Sequence, residues 1–255
     1  MKKSIYLIGL SILLGTSFSS FAQKTYSAKA DITLSFQSGD GTNASAVAWN
    51  PNNNMYYTVI AGNETFPLET FSASGELIYS NTASVDSRGL WYNPKSKKIE
   101  GNGPDTYGYF SHSISSNGQL DPATFYAEGQ NQPEYNSVGA LDSKKKKICF
   151  YSSGSVYFYS QSNGKAAGSV TLNGIPSLET INSTTVIFTG RKGEELGILD
   201  YGSNNVYLFD LKGNFKAIVT LPTDAVTHDV FRFSFANNKI WLYDANSRSW
   251  TGYTF

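Results

Sequence analysis

Apolar positions in this chain fall in short runs that alternate with polar residues at a period of two, the spacing of side chains on one face of a β-strand. Asp31-Ile32-Thr33-Leu34-Ser35-Phe36, Ser169-Val170-Thr171-Leu172 and Ala217-Ile218-Val219-Thr220-Leu221 share this grammar. The first full unit predicts an inner strand at Ser45–Trp49, a turn at Asn50–Asn54, a second strand at Met55–Ala61, a third at Glu69–Ala73 and an outer strand at Glu76–Ser80. In the turn, Pro51 presets its backbone angle and the asparagines tolerate left-handed conformations.

The phrase then recurs. Trp49-Asn50-Pro51 is echoed by Trp91-Tyr92-Asn93-Pro94, and the outer-turn glycines Gly75, Gly118, Gly164 and Gly213 stand 43, 46 and 49 residues apart. A four-stranded unit at this period is the signature of a β-propeller, in which each sheet buries its faces against its neighbours. A second unit runs from Gly89 to about Tyr126, and a third from Ser137 to Leu172 with Leu141-Asp142-Ser143-Lys144 in place of the Asn-Pro turn. In the fourth, two assignments compete: either Val186–Thr189 is the second strand and Leu196–Tyr201 an insertion, or Leu196–Asp200 is the second strand. The fifth has Val230–Phe235, a turn at Ala236-Asn237-Asn238, Lys239–Asp244 and Trp250–Phe255, then stops one strand short. Asp31–Phe36 supplies that strand from the other terminus and leaves no open edge at the seam. The expected fold is all-β, a single propeller of about five four-stranded blades, with six as the alternative count.

Residues 1–22 read as a leader rather than as fold. Lys2 and Lys3 are followed by the apolar run Ile5–Leu14 and by Ser20-Phe21-Ala22, which suits a signal peptidase, and the run is too short to span a bilayer comfortably. The mature domain is therefore expected at 23–255, secreted or periplasmic. Without Lys2 and Lys3 it holds 18 basic against 20 acidic residues, a formal charge of −2. No basic stripe favours nucleic acid or an anionic membrane. Lys144–Lys147 reads as a solvated hairpin tip. A single cysteine, Cys149, excludes an internal disulfide framework and is expected to pack as a small apolar side chain.

The repeat resembles secreted propellers of the NHL, YVTN and SMP-30-like kind across the mature chain, as a loose grammar without strong sequence identity. No WD dipeptide or kelch double glycine is present. A terminal Phe255 after Thr251-Gly252-Tyr253-Thr254 also suits an outer-membrane barrel, but such strands need about ten residues and a continuous lipid-facing stripe. Strands of five to seven residues on a four-strand cycle argue against it.

Naming the fold does not name the function. Propeller ligands commonly meet the residues leading into the innermost strands, which here places Asp86, Arg88, Glu134, Asn136, Glu179, His228 and Asp229 in one polar, mixed-charge ring. Such oxygens suit a hard cation such as Ca²⁺, a sugar or another polar ligand. The resemblance to SMP-30-like lactonases implies a metal held by Glu, Asn and Asp, for which Glu179, Asn136 and Asp229 are the matching types. The plainer reading is that these groups cap nearby backbone. A glycosidase needs two carboxylates about 5–9.5 Å apart across the site, and Asp86, Glu134, Glu179 and Asp229 are the available four. His228 and Asp229 are neighbours, and adjacent strand residues point to opposite faces. No Gly-x-Ser-x-Gly elbow is present, and the glycine loops at Gly39 and Gly190 lack the strand-to-helix context of phosphate binding. Among loop aromatics, Phe66, Tyr107, Tyr135 and Trp250 are the ones placed to stack on a sugar or a partner.

Two functions follow as expectations. The first is a monomeric, exported, non-catalytic binding module for a protein or a polar ligand such as a glycan, without a required cofactor, nucleic-acid partner or membrane insertion. The alternative is a metal-assisted hydrolase of the lactonase or esterase kind working at the ring.

Overall fold

The computed structural model describes residues 23–37, 39–175, 178, 181 and 184–255; the expected leader lies outside them. Two strands, β1 (Lys24–Ser27) and β2 (Lys29–Ser35), precede the repeats. Blade 1 comprises β3 (Asn43–Asn50), β4 (Met55–Ala61), β5 (Pro67–Ser72) and β6 (Leu77–Thr82). Blade 2 comprises β7 (Gly89–Asn93), β8 (Lys98–Asn102), β9 (Tyr109–His112) and β10 (Thr124–Ala127), with a 3-10 turn at Asp105–Tyr107. Blade 3 is β11 (Ala140–Asp142), β12 (Lys147–Ser152), β13 (Ser155–Ser160) and β14 (Ala166–Thr171). Blade 4 is β15 (Ile187–Phe188), β16 (Leu196–Asp200), β17 (Asn205–Phe209) and β18 (Phe215–Thr220). Blade 5 is β19 (Phe233–Ala236), β20 (Lys239–Asp244) and β21 (Ser249–Thr254), completed by β2. The innermost strands β3, β7, β11, β15 and β19 neighbour one another in turn around the axis, so the protein is a five-bladed β-propeller.

The ring closes as the alternation predicts. β2 pairs antiparallel with β21, from Lys29 opposite Thr254 to Ser35 opposite Ser249. The competing assignments in blade 4 are resolved in favour of Leu196–Asp200 as the second strand, with Ile187 and Phe188 innermost. The fit depends on Gly197 opposite Ile187, where a Cβ would approach the Ile187 side chain to 2.6 Å. The intervening loop is stitched by Thr189, whose hydroxyl donates to the Glu194 carbonyl at 2.6 Å.

One strand was not expected. β1 lies parallel to β18 and makes blade 4 five-stranded, covering an edge that would otherwise present unpaired backbone groups. Its Lys24 ammonium and Tyr26 hydroxyl both donate to Glu194, while Arg191 stacks its guanidinium 3.9 Å from the Phe255 ring centre. The blade-4 loop thus fastens both ends of the described chain. Lys24-Thr25-Tyr26-Ser27 is mostly exposed, so no alternation of apolar residues marks it in the sequence.

Burial follows strand periodicity on both faces of each blade. Among the described residues, the apolar core divides into five clusters, one for each junction between adjacent blades. In β12, Ile148 and Phe150 face blade 2 while Cys149 and Tyr151 face blade 4. Burial pushes the Cys149 thiol well above its ordinary range, which removes it as a nucleophile. At the blade 2–3 junction the buried Glu100 carboxylate accepts bonds from Asn93 and Ser96 at 2.8 Å, from Gln161 of blade 3 at 2.8 Å and from the Trp91 indole at 3.3 Å. These four hydrogen-bond donors make it a rivet rather than a free acid.

Candidate functional site

Each inner strand runs the same way along the axis, so the channel has an N-terminal mouth, where these strands begin, and a C-terminal mouth, where they end. The described residues among those singled out by sequence lie at the first. Asp86 and Arg88 flank Ser87 just before β7, and their side chains form a two-pronged pair, with Arg88 Nη1 and Nη2 donating to the two carboxylate oxygens. Arg88 Nε donates to Asn136 Oδ1 of the segment leading into blade 3 at 3.0 Å. The same guanidinium stands 5.5 Å from the ring centre of Phe231 of blade 5. Asp86 also accepts the Gly62 amide at 2.7 Å. One buried arginine, 6% exposed, thereby joins three blades across the mouth.

The remaining predicted residues are not part of this group. Glu134 accepts the Ser152 hydroxyl within its own blade. His228 and Asp229 form a local pair, Nδ1 to Oδ1 at 2.9 Å, with His228 half-exposed. Opposite-face geometry does not apply to them, because the chain bends before β19, with Phe231 and Arg232 both at φ near 55°. Among the described residues, no hydrogen bond or ion pair joins His228, Asp229 or Glu134 to the Arg88 cluster. Glu179 lies outside the described residues. Among the described residues no group of three or more His, Cys, Asp and Glu side chains is placed to hold a metal ion. Sequence reasoning passed over Phe231, and also the Arg232–Asn43 bond that links blade 5 to blade 1. Phe231 and Arg232 stand just before β19, beside His228 and Asp229, and Asn43 opens β3.

The C-terminal mouth is different in kind. One residue before the end of four inner ladders stand Trp49 opposite Tyr56, Tyr92 opposite Ile99, Leu141 opposite Ile148 and Phe235 opposite Ile240, and at the last pair of the short β15 ladder stands Phe188 opposite Leu196. All five are half-buried. Together they line a cavity of about 440 Å³ that reaches from Val138 and Phe233 in the channel to the exposed rim at Pro51, Ser143 and Asn238. The turns beyond this collar are fixed by side-chain caps: Asn50 Oδ1 accepts the Asn52 amide, Asn93 Oδ1 the Lys95 amide, both at 3.0 Å, and Asp142 Oδ1 the Lys145 amide at 3.1 Å. Such caps hold the residue just ahead of them, Trp49, Tyr92 or Leu141, in place.

The signal for the collar was present in the recurring phrase itself, Trp49-Asn50-Pro51 and Tyr92-Asn93-Pro94, where the aromatic precedes the capping residue. The loop aromatics divide. Tyr107 and Tyr135 are exposed as expected. Trp250 is instead fully buried on β21 between blades 5 and 1, and Phe66 is half-buried over Gly41 and Gly62, which have no Cβ to obstruct its ring.

No protein-family model and no curated protein sequence matches this chain. Among solved structures it is similar to the crystal structure of Myxococcus xanthus glutaminyl cyclase, with a TM-score of 0.59 and 11% identity over 91% of this chain and 97% of that one. At this identity the likeness establishes the propeller fold, which the strand topology shows independently.

Proposed function

We propose that the protein is an exported, monomeric, non-catalytic binding propeller, kin to the NHL, YVTN and SMP-30-like kind, that takes a polar ligand such as a glycan at its C-terminal channel mouth. The observation that carries this reading is the contrast in how side chains are occupied. Asp86, Arg88, Asn136 and Glu134 are engaged with one another or with nearby hydroxyl and amide groups. Trp49, Tyr92, Phe188 and Phe235 ring a cavity with part of their surfaces uncovered, beside the amides of Asn237 and Asn238 and the hydroxyl of Ser143. Aromatic faces with a few convergent polar groups are the chemistry that holds a sugar ring or an amphipathic side chain. Titration calorimetry against a panel of soluble oligosaccharides tests it: a saturable ligand is expected, and Trp49→Ala should weaken it about tenfold, as loss of a central aromatic anchor does. Absence of any saturable ligand, or full affinity in Trp49→Ala, overturns the reading.

A second reading is catalytic, favoured by the likeness along nearly the whole chain to a glutaminyl cyclase. It includes the metal-assisted hydrolase with Glu179, Asn136 and Asp229 as ligands and Ca²⁺ or another divalent ion as cofactor. Turnover in a glutaminyl cyclase, esterase or lactonase assay, abolished by a chelator or by Asn136→Asp, would replace the binding reading with this one.

A further inference from the structure

We propose that a groove between blades 1 and 2, separate from the channel, binds an arginine side chain of a partner protein. Its volume is about 390 Å³. Its walls are Glu64, in the loop between β4 and β5, and Glu128, directly after β10; Val85 is its buried floor. Tyr107 and Phe125 also line it, 49% and 38% exposed, with ring centres 6.2 Å apart and planes at 83°.

Both rings are large apolar groups left in water, in a fold whose other aromatics are mostly shut between blades. No lysine or arginine lines the groove, and neither the Glu64 nor the Glu128 carboxylate has a hydrogen-bond or ion-pair partner among the described residues. The walls are set before any ligand arrives. The Gly129 amide donates to the Thr106 carbonyl at 2.9 Å, fixing the Tyr107 turn to the Glu128 segment, and the Ala123 amide donates to Ser84 Oγ at 2.8 Å.

Two unpaired carboxylates beside exposed ring faces complement a planar cation. A guanidinium stacks on an aromatic face while its edge donates to carboxylates. A hard metal ion takes six or more oxygen ligands and gains nothing from the two rings. A neutral sugar would stack on the rings but leave the charges unused.

The test is a titration followed by NMR of the aromatic ring signals, with acetyl-Gly-Arg-Gly-amide and the same peptide bearing citrulline, which keeps the shape and lacks the charge. Saturable shifts of Tyr107 and Phe125 are expected with the arginine peptide in the millimolar range or tighter. Citrulline, the Glu64→Gln/Glu128→Gln variant and Tyr107→Ala should each weaken binding by about tenfold. These positions are exposed, so the variants keep the fold, which an unchanged spectrum of the buried tryptophans verifies. Equal binding of the two peptides, shifts confined to rings elsewhere, or no saturation overturns the proposal.

Discussion

The two mouths of one channel are built from the same five strands, yet they use side chains in opposite ways. At the N-terminal mouth most polar groups answer one another: Arg88 is divided among Asp86, Asn136 and Phe231, and Arg232 Nη2 reaches Asn43, while its Nε has no hydrogen-bond partner among the described residues. At the C-terminal mouth the ends of the inner strands carry Trp49, Tyr92, Leu141, Phe188 and Phe235, which meet neighbouring blades on one flank and the cavity on the other. A polar ring is therefore not in itself a binding site. What separates a site from a seam is whether its groups are already satisfied, since a buried polar atom with its partner in place has little left to give a ligand.

The contrast can be broken most severely at Arg88. Arg88→Ala leaves the Asp86 carboxylate without its cation and uncouples blades 2, 3 and 5, for an expected loss of about 2–4 kcal/mol in urea unfolding. If the N-terminal mouth is a seam, ligand affinity in the folded variant stays within about twofold of the parent. Next in size is the collar. Trp49→Ala should cost about 1–2 kcal/mol of binding, and Phe235→Ala a similar amount, while Trp49→Phe keeps most of it; calorimetry reads all three.

The smallest expected effect is on pH dependence, through His112. It pairs with Ile99, which in turn pairs with Tyr92 of the collar. Burial lowers its pKa below the ordinary value, partly offset by its bond to the Asp121 carbonyl at 2.8 Å. That bond requires the proton on Nδ1 and leaves Nε2 buried without a hydrogen-bond partner among the described residues. Because the unfolded chain takes up a proton near pH 6.5 and the folded one resists it until lower pH, stability falls as pH drops below about 6.5. Unfolding midpoints measured between pH 7 and 5 should show this slope, and His112→Gln should flatten it.

The fold was legible because its rules are local. Alternation gave the strands, the spacing of Gly75, Gly118, Gly164 and Gly213 gave the blades, and Asp31–Phe36 matched the gap left by the last three strands. β1 escaped because it is held by Glu194 and by backbone pairing rather than by an apolar face. In blade 4, Val186–Thr189 and Leu196–Asp200 were both credible strands, and only the packing of Gly197 against Ile187 ranks them. For the candidate ring, sequence placed Asp86, Arg88 and Asn136 together where inner strands begin, at the N-terminal mouth. It did not show that they pair, since pairing depends on how far one blade leans towards the next. His228 and Asp229 were misjudged as strand neighbours because the bend at Phe231 and Arg232 comes from tertiary contacts, among them the Tyr243 amide donating to the Arg232 carbonyl at 3.0 Å. The collar was written in the chain, but as part of a turn phrase.

The four tryptophans allow the central claim to be read directly. Trp49 is half-buried at the cavity rim, Trp91 is buried but lines the same cavity, and Trp241 and Trp250 are sealed between blades. In protein labelled with 5-fluorotryptophan, ¹⁹F NMR during titration with a bound oligosaccharide should move the Trp49 signal, assigned through Trp49→Phe, while Trp241 and Trp250 stay in place. Saturable binding that leaves Trp49 unmoved and is lost in Asn136→Asp would contradict the account and return the site to the N-terminal mouth.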